Sequence, residues 1–387
     1  MQGIYLILFL IFMPVLWLVV EYPYLLRSLK MAYRSRRLGP AIHEHQAFAN
    51  DVIQATLPQS WSRHPEYNQV HLTDWQKTIQ ESIGTTALLV IHDGKLLHET
   101  YWPPQNGHVP TNSFSVAKSY VGTLVGIAID EGLLNWETRV GDLLPSFAEP
   151  DKASINVWHL MSMSSGLKWI ESEGNPFSHN ARAYYGSDLR KMVDQLTVHQ
   201  PPGEAVEYVS INSQVLALLL EEATGKPLVT YLSEKLWTPL QAEDTAYWNK
   251  DREDGVVKAF CCLYASPLDF ARLGQLYLDD GKWNGKQILS KAFVRRCAEA
   301  VDLPHPWVKR HNTIYGLHWW LVEHKGEKFF YARGIRGQYI IVNRSEKMVI
   351  VRTGHKRNPV DSHLGHPPDL FDHIDAGMEI TLKSCPQ

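Results

Sequence analysis

The sequence predicts an α/β fold of the α+β type, with an antiparallel sheet built from both ends of one domain and a helical subdomain inserted between them. Three observations carry this. Thr85 to Trp102 reads as two strands around a turn at Asp93-Gly94. Near the other end, Lys328 to Thr353 reads as strands, with apolar runs at Phe329-Phe330, Tyr339 to Val342 and Met348 to Val351 separated by Arg-Gly and Asn-Arg-Ser-Glu turns. Between the two, from about Leu133 to Leu278, Gly and Pro interrupt a mainly helical pattern.

From the N-terminus, Gly3 to Val20 carries no charge and is nearly all apolar, interrupted by Pro14. Tyr22 and Tyr24 follow as interface residues, and Leu25-Leu26 can extend the run. A run of about 18 residues is just long enough to cross a bilayer. A cleaved signal peptide would show a basic start and a small-residue cleavage site, and neither is evident. The expected organisation is a transmembrane anchor over residues 1–26, a basic juxtamembrane segment and lead-in over 27–72, and one folded domain over 73–387. Arg27, Lys30, Arg34, Arg36 and Arg37 all follow the span, so charge bias alone orients the domain toward the cytoplasm. The lead-in is polar and irregular. Its His43-Glu44-His45 has metal-ligand spacing but no third ligand in view, so it reads as solvated chain.

Ser115-Val116-Ala117-Lys118 follows the first strand pair. From Tyr120 to Ile129, apolar residues recur at helical spacing (Val121, Leu124, Val125, Ala128), placing Ser115 in the first turn of a buried helix. There the helix dipole favours a developing alkoxide. Lys118, one turn on, shares the face, and a lysine in an apolar pocket can take the serine proton. A second Ser-x-x-Lys, Ser165 to Lys168, has glycine directly after its serine and looks like a helix end running into a turn. Further helices are expected at Leu189 to Leu196, Asn212 to Thr224, Leu228 to Leu236 and Pro267 to Leu278, with a last one from near Pro367 past Ile374.

Composition narrows the function classes. The 387 residues include 38 basic and 41 acidic side chains, a net charge of −3, so nothing recommends nucleic acid as a partner. The 13 Trp and 17 Tyr fit a large core and a lined cleft. Four cysteines (Cys261, Cys262, Cys297, Cys385) form no framework, and the adjacent Cys261-Cys262 pair is not expected to bridge to itself. No CxxC spacing suggests zinc, and no metal or organic cofactor is implied.

Taken together, the motifs resemble the serine β-lactamase and penicillin-binding protein superfamily in its class C-like, esterase-like branch, over roughly Thr85 to Thr353. Ser115 to Lys118 corresponds to the first box. The loop His159 to Leu167 resembles a family loop, which makes the Ser165 pair a decoy. Pro201-Pro202-Gly203 with Tyr208-Val209-Ser210-Ile211-Asn212 resembles the second box in the form of 6-aminohexanoate-dimer hydrolases, and Ala332 to Tyr339 resembles that group's third box. The three stand in the right order, with about 90 and 120 residues between them. The resemblance implies a β-lactamase/transpeptidase-like fold and a serine hydrolase acting through an acyl-enzyme on Ser115. It assigns Lys118 and Tyr208 as general base and acid, and the backbone N–H groups of Ser115 and Ile335 as the oxyanion hole. Ser210, Asn212 and Gly334 are supporting residues, Ser210 on Lys118 and Asn212 as a helix cap.

A phenol with an ordinary pKa near 10 is a poor base at neutral pH, but a Lys118 ammonium beside Tyr208 would favour its phenolate. Relatives that act on β-lactams or D-Ala-D-Ala ends usually carry a cation where Ala332 stands. Arg333 or Arg336 could replace it, although strand alternation leaves open which one faces the site. An ester or linear amide is therefore the expected substrate. A β-lactamase or D-Ala-D-Ala carboxypeptidase is the alternative, and a catalytically silent binding member the second. His355, His363 and His366 are expected at the surface. Many relatives work outside the cytoplasmic membrane, so the domain is expected there, against the charge bias.

Overall fold

The computed structural model describes Met13, Leu18 and residues 20–306 and 310–385. The predicted span Gly3 to Val20 thus falls, apart from Met13, Leu18 and Val20, outside the described residues. Among the described residues, no helix is long and apolar enough to cross a membrane.

The lead-in is more ordered than its polarity suggests. Helix α1 (Tyr24–Ser35) buries Tyr24, whose hydroxyl donates to the Pro176 carbonyl at 3.0 Å. Strand β1 (Asn50–Ile53) pairs antiparallel with a strand almost two hundred residues away, Asn50 opposite Asn249. A four-residue strand shows no readable periodicity, and its partner is distant, so local sequence could not reveal it.

Two strands, β2 (Thr85–His92) and β3 (Lys95–Tyr101), turn at Asp93-Gly94 as expected. After the short β4 (Thr111–Asn112), a 3₁₀ turn over Phe114–Val116 carries Ser115 into helix α2 (Ala117–Asp130). Nearly all of α2 is buried, which explains why its apolar residues lie on every side rather than along one stripe. The middle supplies α3 (His179–Tyr185), α4 (Ile211–Thr224), β5 (Ala246–Asn249), β6 (Leu263–Ala265) and α5 (Pro267–Leu278). The final stretch forms β7 (Trp320–His324), β8 (Glu327–Gly334), β9 (Gln338–Asn343), β10 (Met348–Gly354) and α6 (Asp369–Ser384).

The main sheet runs β7-β8-β9-β10-β2-β3, all antiparallel, so both ends of the domain build it as predicted. A smaller sheet, β1-β5-β6-β4, joins the lead-in to the middle. Helices cover both faces of the main sheet. Side chains alternate along β10, so Val349 meets α5 at Gly274 while Ile350 meets α6 at Gly377.

That close approach is testable. A Cβ on Gly274 would lie 2.5 Å from Val349 Cγ1 and 2.9 Å from Ile340 Cγ2, two buried β-branched side chains with no room to turn. Gly274→Ala should therefore cost about 1–3 kcal/mol by overpacking. Urea unfolding should show a lower midpoint with an unchanged slope.

Candidate active site

The cleft lies where the main sheet, the small sheet and the helices meet. It encloses about 560 Å³ and is lined by Ser115, Glu171, Tyr208, Phe260, Arg333 and Ile335, among others. Local backbone aims the nucleophile turn. Phe114 has φ 44°, a left-handed conformation worth about 1–3 kcal/mol of strain for a non-glycine residue. Its N–H donates to Asn112 Oδ1 at 2.9 Å, and the Ser113 N–H donates to the Leu263 carbonyl at 2.8 Å. On the opposite side, a Cβ on Gly334 would sit 2.4 Å from the Ser113 carbonyl oxygen, so only glycine lets β8 press against this turn. Ser115 and Ile335, whose N–H groups are the expected oxyanion donors, both line the cleft.

Lys118 Nζ lies 2.8 Å from Ser115 Oγ and 2.7 Å from the Phe260 carbonyl oxygen. Burial pushes its pKa down to about 8, against the attraction of Glu171. A lysine in that range is about one-fifth neutral near physiological pH, and that fraction can accept the serine proton. Tyr208 is hydrogen-bonded to Ser115, and its ring lies under the ammonium, 5.3 Å from Nζ to the centroid. The expected phenolate is not favoured. Burial first, and the Glu171 carboxylate second, push the Tyr208 pKa up, outweighing the hydrogen bond from Ser115 and the charge of Arg333. Tyr208 is thus held as a neutral phenol.

Glu171 escaped sequence reasoning, since it belongs to no box. Its carboxylate accepts from the Ser210 N–H and the Ser210 hydroxyl, both at 2.7 Å, and from Asn180 Nδ2 at 2.6 Å. Ser210 therefore serves Glu171 and not Lys118 as expected. Asn212 lies inside α4, behind the N-cap Ser210, and is not the cap. Its Oδ1 accepts from Ser165 Oγ at 2.6 Å, tying α4 to the His159 to Leu167 loop. This bond leaves Ser165 buried in a structural role, while Lys168 is exposed, so the second Ser-x-x-Lys holds no paired nucleophile.

Of the two candidate arginines, Arg333 lines the cleft. Its guanidinium stacks 3.5 Å above Trp320 and donates to the Gly365 carbonyl at 3.2 Å. Arg336 turns away and donates to the His355 carbonyl at 3.1 Å. A second cation went unnoticed: Arg357 lines the cleft and is ion-paired with Glu173. Among the three late histidines only His363 is exposed. His366 is buried, its Nδ1 2.7 Å from the Tyr331 hydroxyl, and half-buried His355 sits beside His43.

Cys261 and Cys262 form a disulfide, contrary to expectation. The chain turns sharply at Cys262, with φ 68°, so neighbouring side chains do not alternate as they would in a strand. Cys261 lines the cleft beside Phe260, the residue that holds Lys118. Elsewhere, Cys385 Sγ approaches His64 Nε2 at 3.7 Å and His92 Nδ1 at 3.6 Å. His64 Nδ1 accepts the Glu66 N–H at 3.1 Å, which leaves the proton on Nε2 and makes the contact to sulfur a hydrogen bond.

If Lys118 is the base, it must be neutral to act, and its neutral fraction grows as pH rises. The acylation rate, read as kcat/KM, should climb with pH and level off above about 8. Glu171 raises the Lys118 pKa, so Glu171→Gln should move that rise to lower pH; an unmoved profile would remove Glu171 from the electrostatics of the site.

The chain is similar to known proteins over most of its length. The chain is 29% identical over 310 residues to the 6-aminohexanoate-dimer hydrolase of Paenarthrobacter ureafaciens, covering 76% of this chain and 78% of that one. A solved protein from Bacillus anthracis, provisionally named a 6-aminohexanoate-dimer hydrolase, superposes with a TM-score of 0.74 at 21% identity, over 89% of this chain and 94% of the other. A family VIII carboxylesterase shares the fold at a TM-score of 0.62 and 15% identity, over 85% of this chain and all (100%) of its own. The Beta-lactamase family model matches residues 68–373, and the chain belongs to that family of serine hydrolases.

Proposed function

We propose that the protein cleaves an ester or linear amide through an acyl-enzyme on Ser115. The observation that carries this is the three-way contact at one hydroxyl: Lys118 Nζ at 2.8 Å and Tyr208 hydrogen-bonded to the same Ser115, inside a mostly apolar cleft. Lys118 takes the Ser115 proton as Oγ attacks the carbonyl carbon, and the oxyanion is met by the N–H groups of Ser115 and Ile335. Tyr208, held protonated, donates to the leaving oxygen or nitrogen. Water then attacks the acyl-enzyme and gives its proton to the Tyr208 phenolate, and Lys118 returns its proton to Ser115 Oγ as the acyl–oxygen bond breaks.

Ala332 is buried in β8, where relatives usually carry a cation, and Arg333 is engaged by Trp320 and Gly365. Short aryl esters should therefore be cleaved at least about tenfold better than nitrocefin, roughly 1.4 kcal/mol in barrier. Arg333 in the cleft also favours a second reading, a substrate with a carboxylate such as a peptidoglycan peptide; nitrocefin turnover equal to that of esters would move the assignment there. Ser115→Ala should abolish turnover and Ser165→Ala should preserve it. Mass spectrometry of a fluorophosphonate adduct should find the label on Ser115, and a label on Ser165 would end this reading.

We also propose that Gly3 to Val20 anchors the chain and that the domain faces the extracytoplasmic side. The Cys261–Cys262 disulfide supports that side, since disulfides persist in oxidising compartments, while the Lys and Arg after the span oppose it. Protease added to intact spheroplasts should digest the domain; survival until lysis would put it inside.

A further inference from the structure

Helix α1 has two apolar sides. Tyr24, Leu25, Ser28 and Met31 turn toward the domain, and Tyr185 is hydrogen-bonded to Ser28. On the opposite side, Leu26, Leu29 and Tyr33 follow one another at helical spacing and are 51%, 64% and 87% exposed. Lys30 and Arg34 flank them, Arg36 and Arg37 follow, and the helix contains no acidic residue. Three large apolar side chains beside a row of cations are poorly suited to water and well suited to a lipid interface, where the apolar groups enter the acyl boundary and the cations meet phosphates. The chain reaches this helix directly from the apolar run ending at Val20.

The same segment forms part of the cleft. Ser28, Leu38, Gly39 and Pro40 line it, and Leu38 stands 88% exposed at its rim. Phe177, 48% exposed, adds to the rim region by packing edge-on against Tyr22, with centroids 5.3 Å apart. We infer that α1 lies on an anionic lipid bilayer with the cleft mouth at the membrane surface, and that the substrate is a membrane-partitioned ester or amide whose apolar tail stays in the lipid. This rests on the hydrolase reading above, and it names the substrate class for that same site.

The test uses the full chain reconstituted in phosphatidylcholine vesicles with and without phosphatidylglycerol. Two substrates are compared: p-nitrophenyl butyrate in the water, and p-nitrophenyl palmitate dissolved in the vesicles. Wild type should cleave both, and palmitate faster in vesicles containing phosphatidylglycerol. Leu29→Glu/Tyr33→Glu should lose about tenfold or more of the palmitate rate while keeping the butyrate rate, which also shows that the variant is folded. Lys30→Glu/Arg34→Glu should abolish the phosphatidylglycerol preference. Butyrate cleavage with no palmitate cleavage, or equal effects of the variants on both substrates, would overturn the inference and leave the hydrolase reading standing. Failure of wild type on both substrates would overturn the two together.

Discussion

The site depends on how Lys118 is buried. The residue is 2% exposed and, among the described residues, has no directly paired carboxylate; its partners are the Ser115 hydroxyl, the Phe260 carbonyl and the ring faces of Tyr208 and Phe260. Taking such a charge from water costs several kcal/mol, and these neutral partners repay only part of it. The remainder appears as a lowered pKa, which is what a base needs. Such a pocket cannot come from one stretch of chain. The Ser115 turn hangs between β4 and α2, Phe260 comes from the approach to β6, and Tyr208 stands just before α4. Each wall is fixed by packing of its own.

Glu171 acts on both titrating partners and pushes both pKa values up, but with different consequences. For the lysine, burial has already overshot, and the carboxylate restrains the fall. For the tyrosine, burial and carboxylate act together and keep the phenol intact. In the proposed reaction, two groups on one hydroxyl would thereby divide into a proton acceptor and a proton donor, the division that acyl transfer and its reversal require.

Much of this was legible in the sequence, for reasons that also explain what was not. Ser115, Lys118 and Tyr208 sit in short motifs whose spacing reflects local geometry, and β2, β3, β8, β9 and β10 announce themselves by apolar runs between turns. Glu171 has no motif, because its role depends on a loop folding back to Ser210. Ser210 and Asn212 were assigned to the wrong partners for the same reason: their bonds reach 39 and 47 residues away. Tyr208 was misjudged by counting one nearby charge and omitting burial, which is a property of the assembled fold. The Cys261–Cys262 bond was missed because spacing rules describe extended chain, and here the backbone turns.

Chemistry and selectivity are placed on different parts of the molecule. Ser115, Lys118, Tyr208 and Phe260 are held by buried helices and paired strands, so their positions have little freedom. The remaining wall is made of residues 171–176, part of α3, Ser28 and residues 38–40. Anchors of that wall include Tyr24 on Pro176, Tyr184 on Glu44 at 2.8 Å and Arg357 on Glu173. Within that wall Asn180 and Glu171 are linked to Ser210, and the Tyr184 carbonyl accepts from Lys258, so changes at the other wall residues reshape the cleft most directly. Residues of the lead-in thus take part in what the cleft admits, although they lie before the strands and motifs from which the fold is recognised.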